Sequence, residues 1–237
     1  MKYLISGGAA GTASGSIGGL TYSHNRYGQY IRRKAIPVNV RSARQVVSRG
    51  RFTQGVIGWF QLTAAQRDGW NTYGSQVPFT DSLGQNISLT GQNMYIRTTA
   101  TLLAAGLPLV TDAPVIYNTG DVDATLTITG AEAAAQGIDF TFDDSLDWTS
   151  EDDAGLMVAM SRPQSVTRTF NGQPTRLIGT LPGDSVTPVT SPQSLTAGTA
   201  GYTMSTGNVI RLACRIARAD GRISTPFYSN TFTVTAT

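Results

Sequence analysis

Beyond about residue 110, the apolar residues of this chain recur at every second position; before it they do not. Ala124, Leu126 and Ile128 alternate with polar neighbours, as do Ile138, Phe140 and Phe142, then Leu156, Val158 and Met160, the run Val209 to Ile216, and Phe232 with Val234. Side chains two apart share one face of an extended strand, so each segment reads as a strand with one buried face. Turn formers separate them at Asp121, Asn171-Gly172, Pro182-Gly183 and Asp220-Gly221. Short strands at this spacing predict an antiparallel β-sandwich over residues 111–237.

Residues 1–110 read differently. The stretch 7–19 is almost wholly Gly, Ala, Ser and Thr, and such a segment cannot hold a fold by its own buried area. It contains no Gly-Lys-Ser/Thr, so it is no phosphate-binding loop. It is expected to be an arm, either flexible or ordered on contact with a neighbour, where small residues permit close backbone approach. From Leu20 to Lys34, β-formers flank the turn residues Asn25 to Gly28. Leu20 and Tyr22 on one side and Tyr30 and Arg32 on the other predict a hairpin with a basic, tyrosine-rich face, ended by Ile36-Pro37. Residues 41–62 are expected to be helical, with Gly50, Gly55 and Gly58 allowing close packing. Thr63 to Gln66 matches a capping box that opens a second helix. A third helix is expected from Gln92 to Ala105, with Tyr95, Thr99, Leu102 and Leu103 on one face and Gly106 then Pro108 as the stop. The expected class is therefore α+β.

Charge divides the chain as sharply. The first 67 residues hold ten Lys and Arg and no carboxylate; from Asp68 onward 8 basic side chains face 15 acidic ones. The formal net charge of +3 conceals a basic head and an acidic body, which suggests an N-terminal end built to touch something. Arg26, Arg32, Arg33, Lys34, Arg41, Arg44, Arg49 and Arg51 are the candidate interface residues. Each can neutralise a phosphate, and Tyr22, Tyr27 and Tyr30 can stack on bases. No named nucleic-acid motif accompanies them. Arg outnumbers Lys here, which suits bidentate contacts to carboxylate or phosphate. Gly-rich flanks and interleaved apolar residues favour a protein interface, and nucleic acid stays open as a partner. Charged residues make up only 14% of the chain, against roughly 25% in ordinary soluble domains. A low-charge chain rich in Gly and Thr fits a component of a large assembly, and also a secreted β-protein.

Residues able to do chemistry are few. His24, the single histidine, is expected to fall in a turn and to be an exposed or interface side chain rather than a catalytic base. Cys214 lies in the alternation Ile210, Leu212, Cys214, Ile216 and is expected to be a buried small hydrophobe. One His and one Cys cannot form a zinc site, and no hydrolase, metalloprotease or kinase motif occurs; no catalytic residue, metal or cofactor is expected. The acidic run Asp143, Asp144, Asp147, Glu151, Asp152 and Asp153 has three open uses. It can be a solvated loop, a Ca²⁺ site lacking EF-hand spacing, or an acidic socket for a neighbouring subunit's basic head. No stretch approaches the length of a membrane span. The apolar start Tyr3-Leu4-Ile5 gives way to Ser6-Gly7-Gly8, too short for a signal peptide, so the chain is expected to act without secretion and without a membrane.

Two stretches resemble known proteins. Arg211 to Ser224, followed by Tyr228 to Val234, resembles the last hairpin of fibronectin type III-like domains, which implies an immunoglobulin-like sandwich and assigns no function. In the head, repeated glycines lead to Arg26-Tyr27-Gly28-Gln29-Tyr30-Ile31-Arg32, then Gln45, Arg49 and Arg51-Phe52, then Leu62 to Trp70. This region, about residues 11–105, resembles small bacteriophage and prophage virion structural proteins. The resemblance implies a non-enzymatic capsid- or tail-associated protein, a decoration or minor structural component assembled in the host cytoplasm and found in the virion. Residues 1–110 would be its basic anchoring region, and other virion proteins and further copies of itself its partners. Two alternatives remain: a packaged nucleic-acid-binding protein, and an adhesin or carbohydrate-binding module using exposed aromatics such as Trp148 or Tyr228.

Overall fold

The computed structural model describes residues 2–4, 12–25, 28–36, 38–39, 41–80, 86–168 and 175–236. It is a mixed fold of helices and antiparallel sheets, and its packing separates two compact units, Met1–Gln45 and Val46–Thr237.

The first unit is an antiparallel sheet of β1 (Lys2–Leu4), β2 (Thr12–Ile17), β3 (Leu20–Asn25) and β4 (Gly28–Arg33), in chain order. The hairpin expected from Leu20 to Lys34 is present, with Asn25 opposite Gly28; its central Arg26 and Tyr27 lie outside the described residues. The small-residue stretch, expected to be an arm, instead supplies β2, which pairs with β1 and β3. Gly18-Gly19 makes the turn into β3, with Gly18 at φ +55°, the left-handed conformation a two-residue hairpin loop needs.

The second unit begins within α1 (Ala43–Gln61) and contains α2 (Ala64–Gln76) and α3 (Gly91–Ala105). Thr63 and Gln66 form the expected capping box: the Gln66 N–H donates to Thr63 Oγ1 at 3.3 Å and the Thr63 N–H to Gln66 Oε1 at 2.9 Å. Thr90 caps α3, and Gly106 ends it in the left-handed conformation. Trp70 is the centre of the helical core, edge-on to Tyr73 and Tyr95, with Leu62, Val77 and Met94 around it. Two of the α1 glycines permit close packing. A Cβ on Gly55 would meet Ile96 Cα at 3.3 Å and one on Gly58 would meet Tyr95 Oη at 2.6 Å, whereas Gly50 faces open space. Short strands β5 (Phe79–Thr80) and β6 (Asn86–Ile87) pair between α2 and α3.

The period-two segments become strands. β7 (Thr127–Ala131), β8 (Gly137–Thr141) and β12 (Gln193–Thr196) form one sheet in the order β12-β8-β7. The other centres on β13 (Asn208–Ala217), with β14 (Phe227–Thr233) on one side and β9 (Gly155–Ser161) and β10 (Gln164–Ser165) on the other; β11 (Thr175–Pro182) extends it beyond β9. Ile128, Ile138 and Phe140 from the first sheet and Leu156, Val158, Met160, Ile210 and Leu212 from the second belong to one buried cluster. Alternation placed these side chains correctly because one face of each strand is buried.

The helices are tied to the strands by polar anchors. Trp70 Nε1 donates to Thr111 O at 2.9 Å and Tyr73 Oη to Asn118 O at 2.9 Å. Arg97 Nη2 and Thr98 Oγ1 donate at 3.2 Å to Ile223 O and Gly221 O, at the tip between β13 and β14. The change of hydrophobic period at residue 110 is thus a change of element type within one compact unit.

Candidate functional site

Register decides what each face of the first unit's sheet carries. Ile17 stands opposite Leu20, Leu20 opposite Arg33, and Tyr22 opposite Ile31. Directly opposed residues share a face, so Ile17, Leu20, Tyr22 and Ile31 make an apolar face with Arg33 at one end and His24 at the other. Ser16, Thr21, Ser23, Tyr30 and Arg32 make the opposite, polar face, where the Ser16 and Thr21 hydroxyls are 2.8 Å apart. An amphipathic sheet ordinarily buries its apolar face. Among the residues of the unit whose side chains are described, none is buried; Ile17 is 54% and Ile31 57% exposed. Each such half-exposed side chain leaves unrealised roughly half of the about 1.5–3 kcal/mol that full burial supplies.

The same register corrects the expected tyrosine-rich basic face. Tyr22 and Tyr30 stand on opposite faces, as do Arg32 and Arg33, because a strand alternates sides at every residue. Tyr27 and Arg26 lie outside the described residues. Lys34 follows β4, its N–H donating to Gly19 O at 2.8 Å. Arg41 precedes α1 and Arg44 opens it, whereas Arg49 and Arg51 lie further along the helix, in the second unit. The candidate cations therefore divide between two units, Arg49 and Arg51 belonging to the second.

The six carboxylates of the acidic run are partly engaged within the fold. Asp143 Oδ1 accepts from the Ser145 hydroxyl at 2.6 Å and from its N–H at 3.0 Å, and these bonds hold its carboxyl below the usual range. Asp144 accepts the Ser191 N–H at 3.1 Å, and Asp152 accepts the Ser185 N–H and hydroxyl at 2.8 Å each. Glu151 pairs with Arg218 Nε and accepts the Ala219 N–H at 3.1 Å. Asp147 lies 3.8 Å from another Arg218 nitrogen. Asp153 adopts φ +65° and is exposed.

Two features of this region escaped sequence reasoning. Arg218 draws in a third carboxylate, Asp121, at 3.9 Å, from far along the chain. Asp123, 5% exposed, accepts from the Thr125 N–H and hydroxyl and from the Asp143 N–H, so a residue type expected at the surface is structural. One signal was readable: residues 98–161 hold eleven carboxylates and no Lys, Arg or His.

A groove of about 380 Å³ lies between α3 and the outer face of the β13 sheet, lined by Ala100, Ala104, Met157, Ala159, Arg215 and Tyr228 among others. Its thiol, Cys214, is fully buried, and burial pushes it far above the usual thiol range, which disfavours the reactive thiolate. Trp148, expected as an exposed aromatic, is 2% exposed and packs on Phe142 with ring centroids 5.6 Å apart. Tyr228 is half-exposed on β14 beneath the Arg211 guanidinium at 4.5 Å. Among the described residues no group of three or more His, Cys, Asp and Glu side chains is placed to hold a metal, and no helix is long and apolar enough to cross a membrane. No family model matches the chain, and neither a curated protein nor a solved structure matches it.

Proposed function

We propose that this chain is a non-enzymatic structural protein of a bacteriophage virion, capsid- or tail-associated, docked onto other proteins through its basic N-terminal unit. The observation that carries the reading is the exposed amphipathic sheet: Ile17, Leu20, Tyr22 and Ile31 share a face, and none of the unit's residues whose side chains are described is buried. Such a face is a protein-docking surface. The two C-terminal sheets, whose inner faces share one core, are read as an immunoglobulin-like sandwich that projects from the site of attachment.

The packaged nucleic-acid reading has less support. Its cations stand on both faces of the sheet and in both units, and Tyr22 neighbours Ile31 rather than a second stacking tyrosine. The adhesin reading loses Trp148 to the core. The test is mass spectrometry of purified particles from cells that produce the chain. The wild-type chain is expected in them, and the Leu20→Ser/Ile31→Ser variant is expected to be folded but missing. Particles lacking the wild-type chain, or a variant incorporated normally, would overturn the reading.

A further inference from the structure

Resting on that reading for the view that the first unit docks onto protein, we propose that its partner is a second copy of this chain. The basic sheet of one copy seats on the acidic, apolar segment 109–122 of the next.

Charge argues first. Residues 1–45 carry seven Lys and Arg and no carboxylate, and residues 98–161 carry eleven carboxylates and no Lys or Arg. Two heads repel, and so do two bodies; only head against body attracts, and like-charge juxtaposition selects strongly against the wrong pairing.

The surface of segment 109–122 argues second. Leu109, Val115, Ile116, Tyr117 and Val122 are all about half exposed or more, Val115 at 83%. Yet the backbone beneath them is pinned. Thr111 O accepts from Trp70, Asn118 O accepts from Tyr73, and Asn118 Oδ1 accepts from Arg222 Nη1 at 2.8 Å. The apolar side chains are thus held outward on a preorganised loop, which lowers the ordering cost of binding. Asp112 and Asp121 flank them, and Asp121 shares Arg218 with Asp147 and Glu151. Three carboxylates about one guanidinium leave an excess of negative charge beside the apolar patch. The opposing sheet offers the complement: Ile17, Leu20 and Ile31 beside Arg33.

The two surfaces are different patches of the same molecule, so the contact is heterologous. It closes into rings or propagates as a filament rather than stopping at a two-fold dimer.

Sedimentation velocity of the full chain tests this. Wild type should form species larger than dimers as concentration rises, and its association constant should fall at least tenfold between about 50 and about 500 mM salt. A head reversal on the docking face (Ile31→Glu, Arg33→Glu) and a body reversal (Asp112→Lys, Asp121→Lys) should each be monomeric alone. Mixed, they should associate again, since the unchanged head of one meets the unchanged segment 109–122 of the other, and the two reversed surfaces are themselves opposite in charge. Val115→Ser, at a position too exposed to affect folding, should weaken wild-type association several-fold. A monomeric wild type at low salt, reversals without effect, or a mixture that stays monomeric would each overturn the proposal. So would a monomeric chain that binds nucleic acid in a salt-sensitive way. A chain monomeric alone yet present in particles would overturn self-pairing and leave the structural role standing.

Discussion

Three serine hydroxyls take the place of strand partners along β13. Ser161 Oγ accepts the Arg211 N–H at 3.0 Å, Ser229 Oγ the Leu212 N–H at 2.9 Å, and Ser224 Oγ the Ile216 N–H at 2.9 Å. The β13–β14 register shifts between Arg211 and Ala213, which takes Leu212 off the ladder, and Ser229 supplies the missing acceptor. Ser229→Ala should leave a buried N–H unpaired and cost about 1–3 kcal/mol, read as a lower urea midpoint at unchanged slope; an unchanged midpoint would refute the account. Asp184 plays a comparable part in a surface turn. It accepts the N–H groups of Thr187 and Val186 and the Thr187 hydroxyl, which hold its carboxyl below the ordinary value of 3.8. The native pKa is lower than the unfolded one, so the stabilisation is present above that ordinary value and is lost as pH falls through the depressed one. Asp184→Asn should therefore flatten the fall of Tm below about pH 4, and an acid limb identical to wild type would contradict this.

At the scale of elements, the packing of α2 and α3 depends on Gly74. A Cβ there would meet Leu89 O at 2.5 Å and Gly91 N at 3.3 Å, and backbone cannot yield as a side-chain tip can. Gly74→Ala should cost about 2–4 kcal/mol. Gly50→Ala in α1, with nothing near its Cβ, should instead stabilise by about 0.5–1 kcal/mol. Thermal unfolding of the pair checks both signs. The helices were legible in sequence because a capping box, a left-handed Gly106 and an apolar stripe are local signals. Five segments read as strands are strands or overlap them, again because the alternation is local. β11 was not read, and its bulge explains why: the shift between Leu177 and Gly179 puts the buried Ile178 and Leu181 three residues apart, which destroys the period of two. β12 offers only Leu195 as an apolar residue. The acidic run was read as a possible socket, but the bonds that engage part of it come from Ser185, Ser191 and Arg218, distant in sequence.

For the whole molecule, every buried residue among those described lies in the second unit. Removing residues 1–45 should accordingly leave the unfolding temperature within about 2–4 °C of the full chain. A fragment starting at residue 115 should lose more. It discards the Trp70 core and the Arg97 and Thr98 bonds to the β13–β14 tip, and calorimetry should show it several kcal/mol less stable. Equal stability of the two fragments would show that the helices add nothing to the strands.

The chain's order alone dictated whatever depends on a few neighbouring residues: the caps and stops of the helices, the inward faces of the alternating strands, the hairpin over Leu20 to Lys34 and the segregation of charge. Folding in three dimensions dictated what depends on partners far along the chain. Trp148 turned inward onto Phe142, Arg218 gathered Asp121, Asp147 and Glu151, and the helices joined the strands in one unit. In the first unit's sheet, Ile17, Leu20 and Ile31 share a face and remain exposed. Periodicity states which side of a strand wants burial; only the packing of the rest of the chain states whether anything arrives to bury it.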